Sequence, residues 1–101
     1  MKVLLLNGSP HQNGCTNKAL EIMASVFKEE GIETEIFWLG NKPIQDCIAC
    51  GACRTKGQCV FDDLVNEFVE KAKEADGFVF GTPVYYAHPS GRIMAFMDRV
   101  F

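Results

Sequence analysis

Residues 2–20 read KVLLLNGSPHQNGCTNKAL, and their first third decides the fold. Val3 to Leu6 is a continuous apolar run with none of the alternation of a strand that faces water on one side. Such a run fits a strand covered on both faces, as in a parallel sheet with helices above and below. The residues after Asn7 are rich in Gly, Ser, Pro and Asn and read as a loop. From Asn17 to Glu30 the apolar Leu20, Met23, Ala24 and Phe27 recur at the spacing of one helix face. Thr16 is placed as the N-cap, and Gly31 sits just past the helix end.

Further along the chain the pattern repeats in kind. IETEIFWL, residues 32–39, reads as a second strand, and its polar Glu33, Thr34 and Glu35 suggest a sheet edge. Residues 40–61 read as a long loop. A second helix is expected to start near Asp62 or Asp63, with Val65, Phe68, Val69 and Ala72 as its apolar stripe. Gly77 precedes FVF, a short buried strand. GTPVYYAHPSG, residues 81–91, reads as another loop, and RIMAFMDRVF begins a third helix. No repeat or low-complexity tract interrupts this order. Strands alternating with helices predict parallel pairing with right-handed crossovers. Ligands of such sheets bind beyond the carboxyl ends of the strands. All three irregular loops follow strands, so a single site at that edge is expected.

Composition narrows the function class. The chain has 101 residues, of which 48% are hydrophobic, enough for one domain with its own core. A net charge of −3 offers no electrostatic case for nucleic acid or an anionic membrane surface. MKVLLLN lacks the longer apolar region of a signal peptide, and no run approaches the ~18 residues of a membrane span. A cytoplasmic location is therefore expected, where thiols stay reduced. The five cysteines are an odd number, which also argues against a disulfide framework.

The three loops suggest chemistry. GSPHQNGCTN lacks the glycine fingerprints of dinucleotide and nucleoside-triphosphate loops. It does run Ser9, Thr16, Asn17 and two glycines into a helix N-terminus, where free amides can hold a phosphate. A plain capped loop fits equally well. In the third loop Pro83, Val84, Tyr85 and Tyr86 stand at a strand end, with Ser90 and Gly91 opening a helix. Adjacent tyrosines there can present a flat ring to a planar ligand, or one can pack on the core while the other is solvated. His88 reads as a surface residue.

The middle loop holds Cys47, Cys50, Cys53 and Cys59, spaced Cys-x2-Cys-x2-Cys-x5-Cys. Short steps let successive thiolates turn onto one corner of a cubane, with Gly51 and Ala52 leaving room for the backbone. Bacterial ferredoxins use a related run whose last cysteine serves another cluster and precedes a proline. Here no proline follows, so a single [4Fe-4S] cluster is the natural reading. Structural zinc favours two separated ligand pairs, yet zinc and a metal-free thiol loop both remain open. Arg54 and Lys56 are expected either to offset thiolate charge or to be solvated.

LLLNGSP (4–10), NGCTN (13–17) and GTPVYYAHPSGRIMAFMDRV (81–100) together resemble the flavodoxin-like NAD(P)H-dependent FMN reductase superfamily. The cysteine loop makes the chain similar to the iron–sulfur flavoprotein branch. The resemblance covers the whole chain and implies an α/β, three-layer flavodoxin-like sandwich with a parallel sheet. It implies FMN, with the phosphate on Ser9, His11, Thr16 and Asn17 and on the amides of Asn13, Gly14 and Cys15. The flavin ring would be bordered by Pro83, Val84, Tyr85 and Tyr86, with Ser90 beside them. Relatives often carry Arg at position 11, and glycine or asparagine at position 15, so Cys15 reads as a small neutral filler.

The implied activity is electron transfer. Electrons from a ferredoxin-like donor or NAD(P)H would pass through the cluster to FMN and on to a small acceptor such as a quinone or O2. No protein acid, base or nucleophile is required. The alternatives are an FMN or quinone reductase without a cluster, and a non-enzymatic zinc or thiol-sensing module. The flavodoxin-like order 2-1-3-4-5 has five strands, whereas this sequence supplies three and reaches Phe101 inside the third helix. The FVF strand would then be an open apolar edge. Either a longer chain or a partner is expected to cover it, and a homo-oligomer is the simplest case.

Overall fold

Val3 and Leu5 lie on one face of the first strand and Leu4 and Leu6 on the other, and all four are buried. Double-sided burial follows from the strand's position in the computed structural model, which describes residues 1–101. β1 (Lys2–Asn7) is the centre of a three-stranded sheet, between β2 (Glu33–Trp38) and β3 (Gly77–Gly81). Both pairings are parallel, and the spatial order β2-β1-β3 is the 2-1-3 core of a flavodoxin-like sheet. Asn7 lies opposite Trp38 on one side and Gly81 on the other, so three strand ends finish at one level.

Helix α1 (Cys15–Glu29) covers one face, setting Leu20, Ala24 and Phe27 against Val3 and Leu5. Helices α3 (Leu64–Ala72) and α4 (Gly91–Val100) cover the other, after a single turn, α2 (Cys53–Lys56). Val65, Phe68, Ile93 and Phe96 pack there on Leu4, Leu6, Phe37 and Leu39. The Phe68 ring is the hub, edge-on to Phe37 at 5.4 Å and to Phe96 at 4.9 Å. Such pairs add about 0.5–1.5 kcal/mol each beyond their burial. The result is the expected three-layer sandwich. No helix is long and apolar enough to cross a membrane.

Both outer strands are edges as the sequence suggests, but FVF is not the buried strand expected: Phe78 is exposed and Val79 and Phe80 are half-buried. β2 is an outer strand, and Glu35 meets Lys71 at 2.8 Å and Lys2 at 3.6 Å. β3 is the other, with Phe78 39% exposed. Gly31, at φ 75°, ends α1: its N–H donates to Lys28 O and that of Ile32 to Phe27 O, a closure that needs a left-handed residue.

Two local expectations are corrected. α1 begins at Cys15 with Gly14 as its cap residue, so Thr16 lies in the first turn and is not the N-cap. Its methyl faces the sheet instead, 3.0 Å from where a Cβ on Gly81 would stand. The third loop also has structure of its own. β4 (Val84–Tyr85) and β5 (His88–Pro89) form an antiparallel hairpin. Its turn residues Tyr86 and Ala87 both have positive φ, 51° and 67°. A two-residue hairpin turn demands that conformation and usually obtains it from Asn-Gly.

Candidate functional site

Asn7 builds the first half of the site. It ends the apolar run of β1 at 0% exposure. Its Oδ1 accepts from Ser9 N at 3.0 Å, and its Nδ2 donates to Gln12 O at 3.1 Å. One side chain thus closes the loop over five residues. Trp38 Nε1 donates to Ser9 O at 2.9 Å from β2, and Gly8 N donates to Gly81 O at 2.8 Å across to β3. A side chain at Gly8 would be crowded, since its Cβ would lie 3.0 Å from Ile93 Cδ1 and 3.1 Å from Gly81 O.

This rigid loop delivers the chain to the open end of α1. No side chain caps that helix, and the N–H groups of Cys15, Thr16 and Asn17 have no acceptor within the chain. By contrast, α3 is capped by Asp63 and α4 by Ser90. Unaccepted amides with the helix dipole behind them favour an anion. His11, Asn13 and Cys15 around them are exposed, and Gly14, Thr16 and Asn17 are half-buried. Ser9 is buried and its Oγ accepts from His11 N at 3.1 Å, so the hydroxyl orders the loop. The Asn17 amide turns along the helix to Glu21 Oε1 at 3.1 Å.

The third loop joins this region through Ser90. Its hydroxyl donates to Gly8 O at 3.1 Å and accepts from Ile93 N at 3.3 Å, while its own N–H donates to Thr82 Oγ1 at 3.0 Å. Ser90 is 1% exposed and links the two loops. Val84, Tyr85 and Tyr86 are exposed beyond half-buried Pro83, Tyr86 at 99%. Neither tyrosine packs on the core. A bulky residue held with positive φ at the tip of a hairpin is uncommon and leaves the Tyr86 ring fully presented.

The four loop cysteines lie elsewhere. Cys47, Cys50, Cys53 and Cys59 all line one cavity of about 310 Å³, closed by Val69 of α3 and by Asp98 to Phe101 at the end of α4. Ala49, Gly51 and Gly57 have positive φ and turn the chain around it. All four thiols are free, and no three His, Cys, Asp or Glu side chains converge on one point as a single ion requires. Four cysteine sulfurs are a donor set that a four-iron cluster takes, and structural zinc can take the same four.

Arg99 and Asn66 hold that wall. Arg99 forks onto Asp63 with two contacts of 2.7 Å and donates to Cys59 Sγ at 3.2 Å. Asn66, buried on α3, donates to Cys59 O at 3.2 Å and Phe61 O at 3.0 Å. Arg99 beside Asp63 holds that carboxyl below the usual range, against the opposing effect of burial. For Cys59 burial raises the thiol pKa, but the Phe61 backbone and Arg99 outweigh it, and the net shift is downward. Arg54 and Lys56 are exposed and form no ion pair with a carboxylate, whereas Arg99 touches Cys59 directly.

The single site expected at the strand ends is therefore two regions. No residue of loops 8–14 or 82–90 lines the cysteine cavity. Loop 40–61 folds back over the α3–α4 layer, where Arg92 meets Lys42 O at 3.5 Å and Arg99 meets Gln45 O at 3.0 Å. Helix α4 connects the regions. Ser90 caps its start, and Arg99 stands in its last turn, about 14 Å further along the axis at 1.5 Å per residue. Sequence reasoning missed Asn7, Trp38, Asn66 and Arg99. Asn7 and Asn66 carried a faint signal, as polar residues beside apolar runs. Trp38 and Arg99 carried none.

Comparison with known proteins agrees with this architecture. Residues 1–101 match the family described as NADPH-dependent FMN reductase. The chain is 40% identical over 99 residues to an iron-sulfur flavoprotein of Methanocaldococcus jannaschii, covering 98% of this chain and 51% of that one. It is 36% identical to the iron-sulfur flavoprotein of Methanosarcina thermophila, covering 98% and 52%. It thus spans about half the length of these relatives. Its fold superposes on the NAD(P)H:quinone oxidoreductase from Methanothermobacter marburgensis with a TM-score of 0.76 at 21% identity, over 99% of this chain and 53% of the other.

Proposed function

The chain belongs to the NADPH-dependent FMN reductase family, and from that premise we propose that it serves an FMN-dependent oxidoreductase of the iron–sulfur flavoprotein type. The observation that carries the cluster is that Cys47, Cys50, Cys53 and Cys59 all line one cavity. When bound, a four-iron cluster exchanges single electrons and FMN accepts one or two, so together they match one-electron donors to two-electron acceptors.

The chain's own part is binding and orientation. The amides of Cys15, Thr16 and Asn17 receive the FMN phosphate, with His11, Asn13 and Gly14 around it. Ser9, Asn7 and Trp38 fix the loop that presents those amides. Pro83, Val84, Tyr85 and Tyr86 border the ring, and Ser90 holds their loop against Gly8. NAD(P)H or a ferredoxin-like protein is the donor, and a small molecule such as a quinone the acceptor.

Anaerobic reconstitution followed by iron, sulfide and flavin analysis tests this. About four irons per chain together with broad visible absorbance supports the cluster. Flavin without iron would leave an FMN or quinone reductase whose cysteines serve another purpose. Zinc alone would reduce the chain to a metal module.

A further inference from the structure

A guanidinium has five N–H donors in a fixed fork, and Arg99 uses all five. Nε donates to Cys59 Sγ at 3.2 Å. One terminal nitrogen donates to Gln45 O at 3.0 Å and Asp63 Oδ2 at 2.7 Å, the other to Phe61 O at 3.1 Å and Asp63 Oδ1 at 2.7 Å. The side chain has no exposed area. An ion pair with Asp63 alone would satisfy its charge. The remaining three bonds all go to the cysteine loop, and one edge of the fork is aimed at sulfur. The other cysteines have nothing comparable. Cys47 accepts only from Ala49 N at 3.4 Å, and the Cys50 and Cys53 thiols have no hydrogen-bond partner in the chain.

We infer that Arg99 is a positioning residue for the cysteine site: it anchors the Cys59 sulfur as the fixed corner of the cavity and raises the reduction potential of the cluster held there. The second half rests on the cluster reading above, and the first half does not. Reduction adds negative charge to a cluster and its ligand sulfurs. An N–H aimed at one of those sulfurs, from a group that is itself cationic, stabilises the reduced form. The position of Arg99 in the last turn of α4 also places this corner on the element that begins at Ser90 in the flavin region.

The reconstituted protein is compared with R99K and R99M by redox titration, each at matched iron content. R99K keeps a charge but loses the fork, so it isolates the directed hydrogen bond. The midpoint potential is expected to fall by about a tenfold change in the one-electron equilibrium, about 59 mV, in R99K, and further in R99M. An R99K protein with wild-type potential overturns the tuning role. R99M leaves Asp63 without its cation and can fail to fold, so a second measurement uses the intact arginine. In metal-free protein, exchange of the Arg99 Nε–H with water is followed by NMR. Cys59→Ala should accelerate it about tenfold, and Cys47→Ala should leave it unchanged. Equal effects of the two substitutions overturn the anchoring. A wild-type protein that takes up no iron overturns the cluster reading and the tuning with it, while the exchange measurement still decides the anchoring.

Discussion

A buried asparagine, Asn7, holds the loop after β1 in shape. Replacing it with Ala strands Ser9 N and Gln12 O, one of them in a buried setting. The cost of an unpaired buried group is about 1–3 kcal/mol, so Asn7→Ala should lose about 1–3 kcal/mol in urea unfolding. It should also weaken FMN binding, because the amides of Cys15 to Asn17 lose their fixed approach. Full stability with unchanged FMN titration would remove Asn7 from the site. Cys50 makes the opposite case. It is exposed, outside both core clusters, and its thiol has no partner. Cys50→Ser should therefore abolish iron incorporation while leaving the circular dichroism spectrum unchanged, and a full iron complement in that variant would exclude Cys50 as a ligand. Residue types alone made the cysteine spacing legible. They could not reveal Arg99, which lies 40 residues from Cys59 in sequence. A lone arginine on a helix reads as solvated until the packing is known.

At the scale of elements, periodicity was a reliable guide wherever burial repeats along a whole helix or strand. The stripes of α1 and α3 and the unbroken run of β1 announce two covered faces, although Met23 of the α1 stripe is 40% exposed. It failed where geometry is set by one or two residues. Thr16 reads as a cap because threonine often caps, but packing on Gly81 turns its side chain toward the sheet. The β4–β5 hairpin lacks the Asn-Gly signal of its turn, since Tyr86 and Ala87 adopt positive φ instead. Asp63 shows how an element boundary acquires a second task. It caps α3 by accepting from Val65 N at 3.1 Å and pairs with Arg99 from α4. Its folded pKa is depressed, chiefly by the Arg99 hydrogen bond, so its contribution is fully present above the ordinary value of 3.8 and is lost as pH falls below it. Urea midpoints of wild type and Asp63→Asn should therefore differ at neutral pH and converge in acid. A gap that stays constant through that window would mean the carboxylate charge contributes nothing. In the same layer, Phe68→Ala removes both aromatic edge contacts and should cost about 3–5 kcal/mol, read from the same unfolding curves.

The whole molecule is asymmetric at its edges. β2 carries Glu33 and the Glu35 ion pairs, which discourage pairing with another strand. β3 has no such protection. Phe78 stacks at 6.2 Å from Phe80 with 39% of its surface exposed, and an apolar hollow beside it is lined by Phe68, Val69, Ala72, Phe78, Val100 and Phe101. The sequence reading also expected an open apolar edge at FVF, and β3 is an outer strand of the sheet. What sequence could not show was that α4 leaves the hollow open. An unpaired backbone ladder next to exposed aromatic surface favours strand addition, and the 101-residue chain is expected to self-associate through β3. Light scattering across a tenfold dilution should show a mass that falls with concentration. Phe78→Lys places a charge on that edge and should shift the distribution toward monomer, whereas Glu33→Lys on the opposite edge should not. A wild-type chain that stays monodisperse and monomeric would mean the β3 ladder is satisfied within the chain. Equal responses to the two substitutions would place the contact elsewhere, with the exposed Ile22, Met23 and Val26 face of α1 as the next surface to test.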